Sequence, residues 1–377
     1  MKKFVLIPDS FKGTLSSKEI CDIMERGIKS HFSDAVTVSI PVADGGEGSV
    51  DCFLSALGGE KITISCKGPY FEDITAFYGI INGGKTAVIE MAAAAGLPMV
   101  ENNKNPLLTT TYGVGELMLD AAKRGVKEII VGLGGSCTND FGAGAAAACG
   151  IKFFDESGKD FIPTGGTLKD VVRVDYSSKS KLFDCVKITT MCDIDNPPYG
   201  LNGAAHVFAP QKGADKDMVE LLDKGVKSLC GVLESQVCGL DLANLAGGGA
   251  AGAMGAGMVA FFGSKLKMGI DTVLDTVGFE NIISDADYIF TGEGKIDGQS
   301  LRGKVVIGVS RKAKEQGVPV IAVVGGADGD VSDAYGQGVT AIFTINKLPQ
   351  DFSVSRKFSK ENLAFAFDNI LRLIKIK

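Results

Sequence analysis

Tryptophan is absent from the 377 residues and histidine occurs only twice, as His31 and His206. Two histidines so far apart cannot supply a histidine-rich metal site, and neither falls in the glycine-rich clusters where a Ser-His-Asp triad would have to form. Paired cysteines are also missing: the nine are scattered and odd in number, with no C-x-x-C, which excludes a disulfide framework and points to reduced thiols in a cytoplasmic protein. Basic stripes are lacking, since 39 Lys plus Arg face 45 Asp plus Glu for a net charge of −6, so a nucleic-acid partner is not expected. The opening MKKFVLIPDS has too short an apolar run for a signal-peptide core, so no export is implied. One stretch, residues 243–263, is uncharged and long enough to be tested as a membrane span. Gly and Ala dominate it, so a buried loop and helix is expected instead and no membrane partner. Phosphate fingerprints are missing too. There is no G-x-x-x-x-G-K-[ST], and GLGGSCTND lacks the third glycine of a dinucleotide motif, which argues against a nicotinamide oxidoreductase.

What is present is an alternation of short apolar runs with amphipathic ones. KKFVLI reads as a buried strand, Ser16 and Glu19 form a capping box, and Ile20, Ile23, Met24 and Ile28 recur at helical spacing. A strand over 35–42 and a helix over 48–57 repeat the unit. The C-terminal part does the same, with ADYIFTGEG, a helix near 304–316, VPVIAVVGG, VTAIFTIN and a closing helix around 360–375. Such βα repeats imply a parallel sheet covered on both faces, with ligands at the strand C-terminal ends. The middle differs, because ITAFYGIINGGKTAVIEM reads as a hairpin turning at Asn-Gly-Gly. The expected fold is α/β, with a parallel-sheet domain made of residues 1–60 plus 285–377 and an inserted mixed-sheet α/β domain over 61–284.

Polar clusters, most of them containing glycine, follow several strand-like runs: PDSFKG (8–13), ADGGEG (43–48), GLGGSCTND (132–140), CDIDNP (192–197), GGGAAGAMGAG (247–257) and TGEGKIDGQS (291–300). Glycine after a strand is ordinarily a turn, yet most of these pair glycine with acids. Those residue types suit Mg²⁺-assisted phosphoryl transfer. Acids hold the ion and its waters, backbone N–H groups receive phosphate oxygens, a lysine neutralises charge, and one Asp orients or deprotonates the attacking hydroxyl. Cys137 and Cys192 lie in these clusters with nothing nearby to make a thiolate, and are expected to be small buried side chains.

At these clusters the sequence resembles the type I glycerate kinase family, which phosphorylates D-glycerate with ATP and Mg²⁺. PDSFKGTLS, PVADGGEGS, IEMAAAAGL, TTTYGVGEL, GGSCTNDFGAG, CDIDNP, PQKGA, GAAGAMGAG and TGEGKIDGQS follow in the family's order nearly end to end. Cys137 stands where alanine is common, Phe141 where glycine is common and Lys295 where arginine is common, and Phe141 is expected to narrow its loop. The resemblance implies a flavodoxin-like domain from the two chain ends with a second α/β domain inserted, and phosphorylation at the 2-hydroxyl to give 2-phosphoglycerate. A kinase of another small hydroxy acid, or a non-catalytic two-lobed small-anion-binding module, are the competing readings.

Glycerate needs a cation for its carboxylate and acceptors for its hydroxyls. Lys12 and Arg302 are the candidate cations, Lys12 also as a catalytic group and Arg302 for its carboxylate-matching fork. Asp193, at the end of CVKITTMC before Pro197-Pro198, is the candidate base. Asp44 and Glu47 face either Mg²⁺ or the substrate hydroxyls and are assigned to the substrate, with Glu293 and Asp297 as a second, metal-holding pair; the sequence leaves open which of the two pairs holds the ion. Gly134, Gly135, Ser136, Thr138 and Asn139, with Lys212, Gly248 and Gly249, are assigned to the nucleotide phosphates. The sequence leaves the oligomeric state open.

Overall fold

The computed structural model describes residues 1–376 except Asp44, Cys238 and Gln299. It divides into two compact units, the first made of Met1–Asp44, Asp51–Leu57 and Met268–Lys377, the second of Gly45–Val50 and Gly58–Lys267. Along the chain the first unit begins with β1 (Lys3–Pro8) and β2 (Val36–Ser39). The second unit contributes β3 (Glu60–Lys67), β4 (Asp73–Ile81), β5 (Thr86–Glu90), β6 (Glu128–Gly132), β7 (Lys152–Phe154), β8 (Asp160–Phe161), β9 (Arg173–Asp175), β10 (Lys187–Met191) and β11 (Lys265–Lys267). The chain then returns to the first unit for β12 (Tyr288–Gly292), β13 (Val320–Val324) and β14 (Val339–Thr344).

In the first unit the strands lie in the order β14-β13-β12-β1-β2, all parallel. Counted within the unit this is the 2-1-3-4-5 order of a flavodoxin-like sheet, and the order reverses between β1 and β12. Strands β1 and β13 are buried almost throughout because helices cover both faces. The helix Ser17–His31 starts at the capping box expected from Ser16 and Glu19, and its apolar stripe of Ile20, Met24 and Ile28 is buried. That stripe packs with Phe4, Leu6 and Phe290 of the sheet and with Leu363, Phe367 and Leu371 of the helix Ser359–Lys375. Phe290 and Phe367 meet edge-on with ring centroids 4.7 Å apart. Each such fully buried aliphatic or phenyl group contributes roughly 1.5–3 kcal/mol of transfer free energy. Residues 268–284 belong to this unit by packing: in the helix Gly269–Val277, Ile270 sits against Gly308 of the helix Val305–Glu315.

The second unit has a mixed sheet in the order β11-β10-β6-β5-β4-β3. Strands β3, β4 and β5 are antiparallel neighbours, and the expected β4–β5 hairpin turns at Asn82–Gly84. From β5 through β6 and β10 to β11 the pairing is parallel. The helix Tyr112–Lys123 packs on the alanine-rich helix Ala143–Ala148, where a Cβ on Gly115 would collide with the backbone of Ala145. A small sheet of β8-β7-β9 adds a satellite core with Phe153 against Phe261. The uncharged run 243–263 resolves into turns and the 13-residue helix Ala250–Phe262. Among the described residues no helix is long and apolar enough to cross a membrane.

Candidate active site

In the first unit β1 and β12 end side by side, with Pro8 opposite Gly292, so the loops leaving them flank the point where the strand order reverses. Asp9 N donates to Gly292 O at 2.8 Å, and a Cβ on Gly294 would sit 3.3 Å from Lys12 N, so the two loops touch. Glu293 follows β12 directly and is 7% exposed. Its Oε2 accepts from Ser300 Oγ at 3.0 Å, while Oε1 is buried without a protein partner. The backbone N–H of Asp297 donates to the same Ser300 Oγ at 3.2 Å, and Ser300 N donates to Asp297 Oδ1 at 3.3 Å. Ser300, which carries no role in the sequence reading, therefore ties Glu293 to Asp297. Burial pushes the Glu293 carboxyl up to about 7, with the Asp9 and Asp297 charges adding to it and Lys304 opposing.

A cation would relieve both the orphaned Oε1 and the crowding of carboxylates, so this pair fits a Mg²⁺ ion. Among the described residues no group of three or more His, Cys, Asp or Glu is placed to hold a metal. The pair is thus suited to an ion that keeps waters and phosphate oxygens in its shell rather than to a closed cage. Lys12 and Arg302 are both exposed, Arg302 closing the short turn Ser300–Arg302.

In the second unit β5, β6 and β10 end level, Glu90 opposite Gly132 and Gly132 opposite Met191. Four loop segments, three of them glycine-rich, meet at these ends. The 45–50 segment lies over the end of β6: Gly134 N donates to Gly45 O at 3.0 Å, and a Cβ on Gly134 would lie 2.5 Å from Gly46 Cα. Glu47 is the exposed side chain of this segment, and Asp44 lies outside the described residues. Asp193, half-buried, follows β10, and the loop behind it packs on 247–249, with Gly249 N donating to Asn196 O at 2.9 Å. Gly252, at φ 67°, is pressed so closely on Thr138 O and Asn139 Cα that a Cβ there would collide with both, and Phe141 N donates to Gly252 O at 3.1 Å. The N–H groups of Gly134, Gly248 and Gly249, expected to face phosphate oxygens, are engaged with Gly45, Leu245 and Asn196 carbonyls instead. These three glycines let the loops approach one another.

Lys212 is 2% exposed, and its ammonium donates to Ser136 Oγ at 2.7 Å and Thr138 O at 2.6 Å. Desolvation lowers its pKa to about 8, against the pull of Cys137 and Asp140. It therefore holds the 136–138 loop from within. Thr138 Oγ1 and both polar atoms of Asn139 are buried without protein partners, three unsatisfied hydrogen-bonding atoms in one short segment. Asp140 beside them is fully buried. Its Oδ2 accepts from Thr111 N at 2.7 Å, Thr111 Oγ1 at 2.8 Å and Gly144 N at 3.2 Å, while Oδ1 accepts from Gly142 N at 3.2 Å. Burial outweighs those bonds and raises its pKa. Burial likewise raises the Cys137 thiol to about 12 and the Cys192 thiol to about 11, so neither is a thiolate nucleophile. The sequence reading gave no role to Asp140, Thr111 or Glu90. The signal for the first two is the TTTYG run, whose last threonine finds its partner only when the fold brings Asp140 against it.

Comparison with known proteins follows the same segments. The model of the glycerate kinase family matches residues 4–375. A glycerate kinase of Bacillus cereus is 42% identical over 375 residues, covering 99% of this chain and 98% of the relative. The glycerate 2-kinase of Escherichia coli K12 is 41% identical over 376 residues, with 99% and 98% covered. A solved structure assigned as glycerate kinase 2 from Salmonella typhimurium LT2 superposes with a TM-score of 0.88 at 38% identity, covering 100% of this chain and 98% of that one.

Proposed function

This chain belongs to the glycerate kinase family, and from that premise we propose that it transfers the γ-phosphoryl group of Mg-ATP to the 2-hydroxyl of D-glycerate, giving 2-phosphoglycerate and ADP. The observation that carries the reading is Glu293, buried at the strand-order reversal with one carboxylate oxygen unpartnered and the other joined through Ser300 to Asp297. Bound by these two carboxylates, Mg²⁺ would supply charge neutralisation for the phosphate oxygens. Phosphoryl transfer asks the protein for positioning and electrostatics more than for covalent chemistry.

The remaining roles follow from what each group can do. Asp193 takes the hydroxyl proton as the new C2–O–P bond forms and the γ-phosphorus separates from the β-bridging oxygen. Lys12 offers its charge to the transferring group. Arg302 pairs with the substrate carboxylate, for which a planar fork is the better match. Glu47, with Asp44, accepts from substrate hydroxyls, which explains acids in a loop that would otherwise attract anions. The segment Gly135, Ser136, Thr138 and Asn139 donates to nucleotide phosphates, and Lys212 keeps it in shape from beneath. Gly248 and Gly249 serve the same loop by permitting close packing. The E. coli relative's name, glycerate 2-kinase, supports the choice of hydroxyl.

The test is ³¹P NMR of the product formed from D-glycerate and Mg-ATP. A phosphate on C2 couples to one methine proton and gives a doublet, whereas a phosphate on C3 couples to two methylene protons and gives a triplet. The doublet is expected. A triplet would overturn the regiochemistry, and the absence of any new phosphoester signal would overturn the kinase reading.

A further inference from the structure

Glu90 has a buried carboxyl group at a strand end, where the parallel part of its sheet meets the antiparallel part, and the roles proposed above leave it unused. It is 2% exposed, and it closes β5 level with Gly132 of β6. Its Oε1 accepts from Val50 N at 2.7 Å. Val50 lies in the first turn of the helix Ser49–Leu57, directly after the glycine-rich segment that carries Glu47.

That segment is fastened at its other end as well. Gly134 N donates to Gly45 O at 3.0 Å, and Gly45, at φ 80°, packs on Met191, where a Cβ would come within 3.2 Å of the methionine Cβ. Between the two ends Ser49 folds back on the turn, its Oγ donating to Gly46 O at 2.7 Å. Gly45, Gly46, Ser49 and Val50 are buried, whereas the Glu47 side chain is exposed. A run containing Gly45, Gly46 and Gly48 has a large conformational entropy, so the direction of Glu47 depends on how firmly both ends are held. At the Val50 end the holding group is a carboxyl oxygen, matched to a helix N-terminus by the hydrogen bond it accepts. A helix N-terminus whose N–H is already bonded to a side chain is less open to a phosphate, which leaves the segment free for hydroxyl recognition.

We propose that Glu90 is a positioning residue for phosphoryl transfer: by binding Val50 N it fixes the exit of the 45–50 segment and so the placement of Glu47 at the substrate. This rests on the reading that puts Glu47 at the substrate. In this role Glu90 acts through the loop.

Three variants decide it, each measured for kcat and KM with D-glycerate and Mg-ATP and for amide hydrogen exchange across residues 45–57. Glu90→Gln keeps a carbonyl oxygen where Val50 N needs one, and retains kcat within about threefold with exchange unchanged. Glu90→Ala removes the acceptor, speeds exchange over 45–50 and lowers kcat about 10- to 100-fold, the scale of a misplacement near 1 Å. Glu90→Asp, one methylene short of Val50 N, behaves like Glu90→Ala and stands in for it should the alanine variant fail to fold. The proposal is overturned if the alanine or aspartate variant keeps full kcat, if kcat falls while the 45–50 amides stay protected, or if the glutamine variant is as slow as the alanine one. A wild-type protein that makes no phosphoglycerate defeats the functional reading instead, and the exchange comparison then still decides whether Glu90 holds the loop.

Discussion

In Glu293 the carboxylate proposed to hold Mg²⁺ is also one whose burial carries a stability cost. Its folded-state pKa is raised from 4.5 to about 7, chiefly by burial. A raised acid pKa means that the folded protein binds the proton more tightly than the unfolded chain does. The associated stability is fully present below pH 4.5 and is lost as pH rises through 7. Glu293→Gln has no such titration and keeps an acceptor for Ser300 Oγ. In metal-free buffer its unfolding free energy should therefore match the wild type near pH 4 and exceed it above pH 7, by at most about 3 kcal/mol, since one pKa unit is 1.36 kcal/mol. Turnover should fall in the same variant, because a neutral amide is a poor ligand for Mg²⁺. Urea titrations at several pH values check the first half, and a variant no more stable at pH 8 than the wild type would contradict it. At this scale the sequence announced acids beside glycines, and so named Glu293 and Asp297. The Ser300 hydroxyl that joins them was illegible, because its part depends on a turn that brings residue 300 back over residue 293.

Among the elements, the glycine and alanine run after residue 246 departs furthest from what its letters suggest. Its small residues predict a buried loop and helix, and the helix Ala250–Phe262 is there, but it opens with three left-handed residues: Ala251 at φ 54°, Gly252 at φ 67° and Ala253 at φ 67°. Only glycine adopts that region without cost, so two alanines there could not be foreseen from propensity. Tertiary packing imposes the conformation. The turn lies against Thr138 and Asn139, which hold the unpartnered polar atoms. Substitutions in adjacent positions should consequently have opposite signs. Gly252→Ala keeps a disfavoured φ and drives a Cβ into Thr138 O and Asn139 Cα, costing about 2–4 kcal/mol. Ala251→Gly relieves left-handed strain of about 1 kcal/mol, partly offset by the greater freedom of glycine in the unfolded chain, and should be neutral to mildly stabilising. Denaturant midpoints for the two variants provide the check, and equal destabilisation by both would mean that φ does not govern this turn.

For the whole molecule, strand and helix alternation revealed an α/β chain whose two ends build one parallel sheet, because buried strands and amphipathic helices write different periods into the sequence. The allocation of segments between the units was less legible. Residues 45–50 and 268–284 carry the same kinds of side chain as their neighbours, and only long-range packing assigns them. A consequence concerns cooperativity. Each unit has cores of its own: Phe4, Phe290, Phe367 and their neighbours in the first, Tyr78, Leu117, Ile129 and Met254 among others in the second. A chain of 377 residues with separate cores exceeds the size for which all-or-none unfolding is the rule. The lack of tryptophan turns this into a clean experiment, since any single tryptophan introduced is the sole indole fluorophore. Tyr288, half-buried and stacked 6.0 Å from Phe4, reports on the first unit, while Tyr176, whose hydroxyl donates to Ala260 O at 3.4 Å, reports on the second. Tyr288→Trp and Tyr176→Trp should give urea transitions with different midpoints, while circular dichroism of either variant spans both. Superimposable transitions from the two probes would show that the units unfold as one cooperative body despite their separate cores.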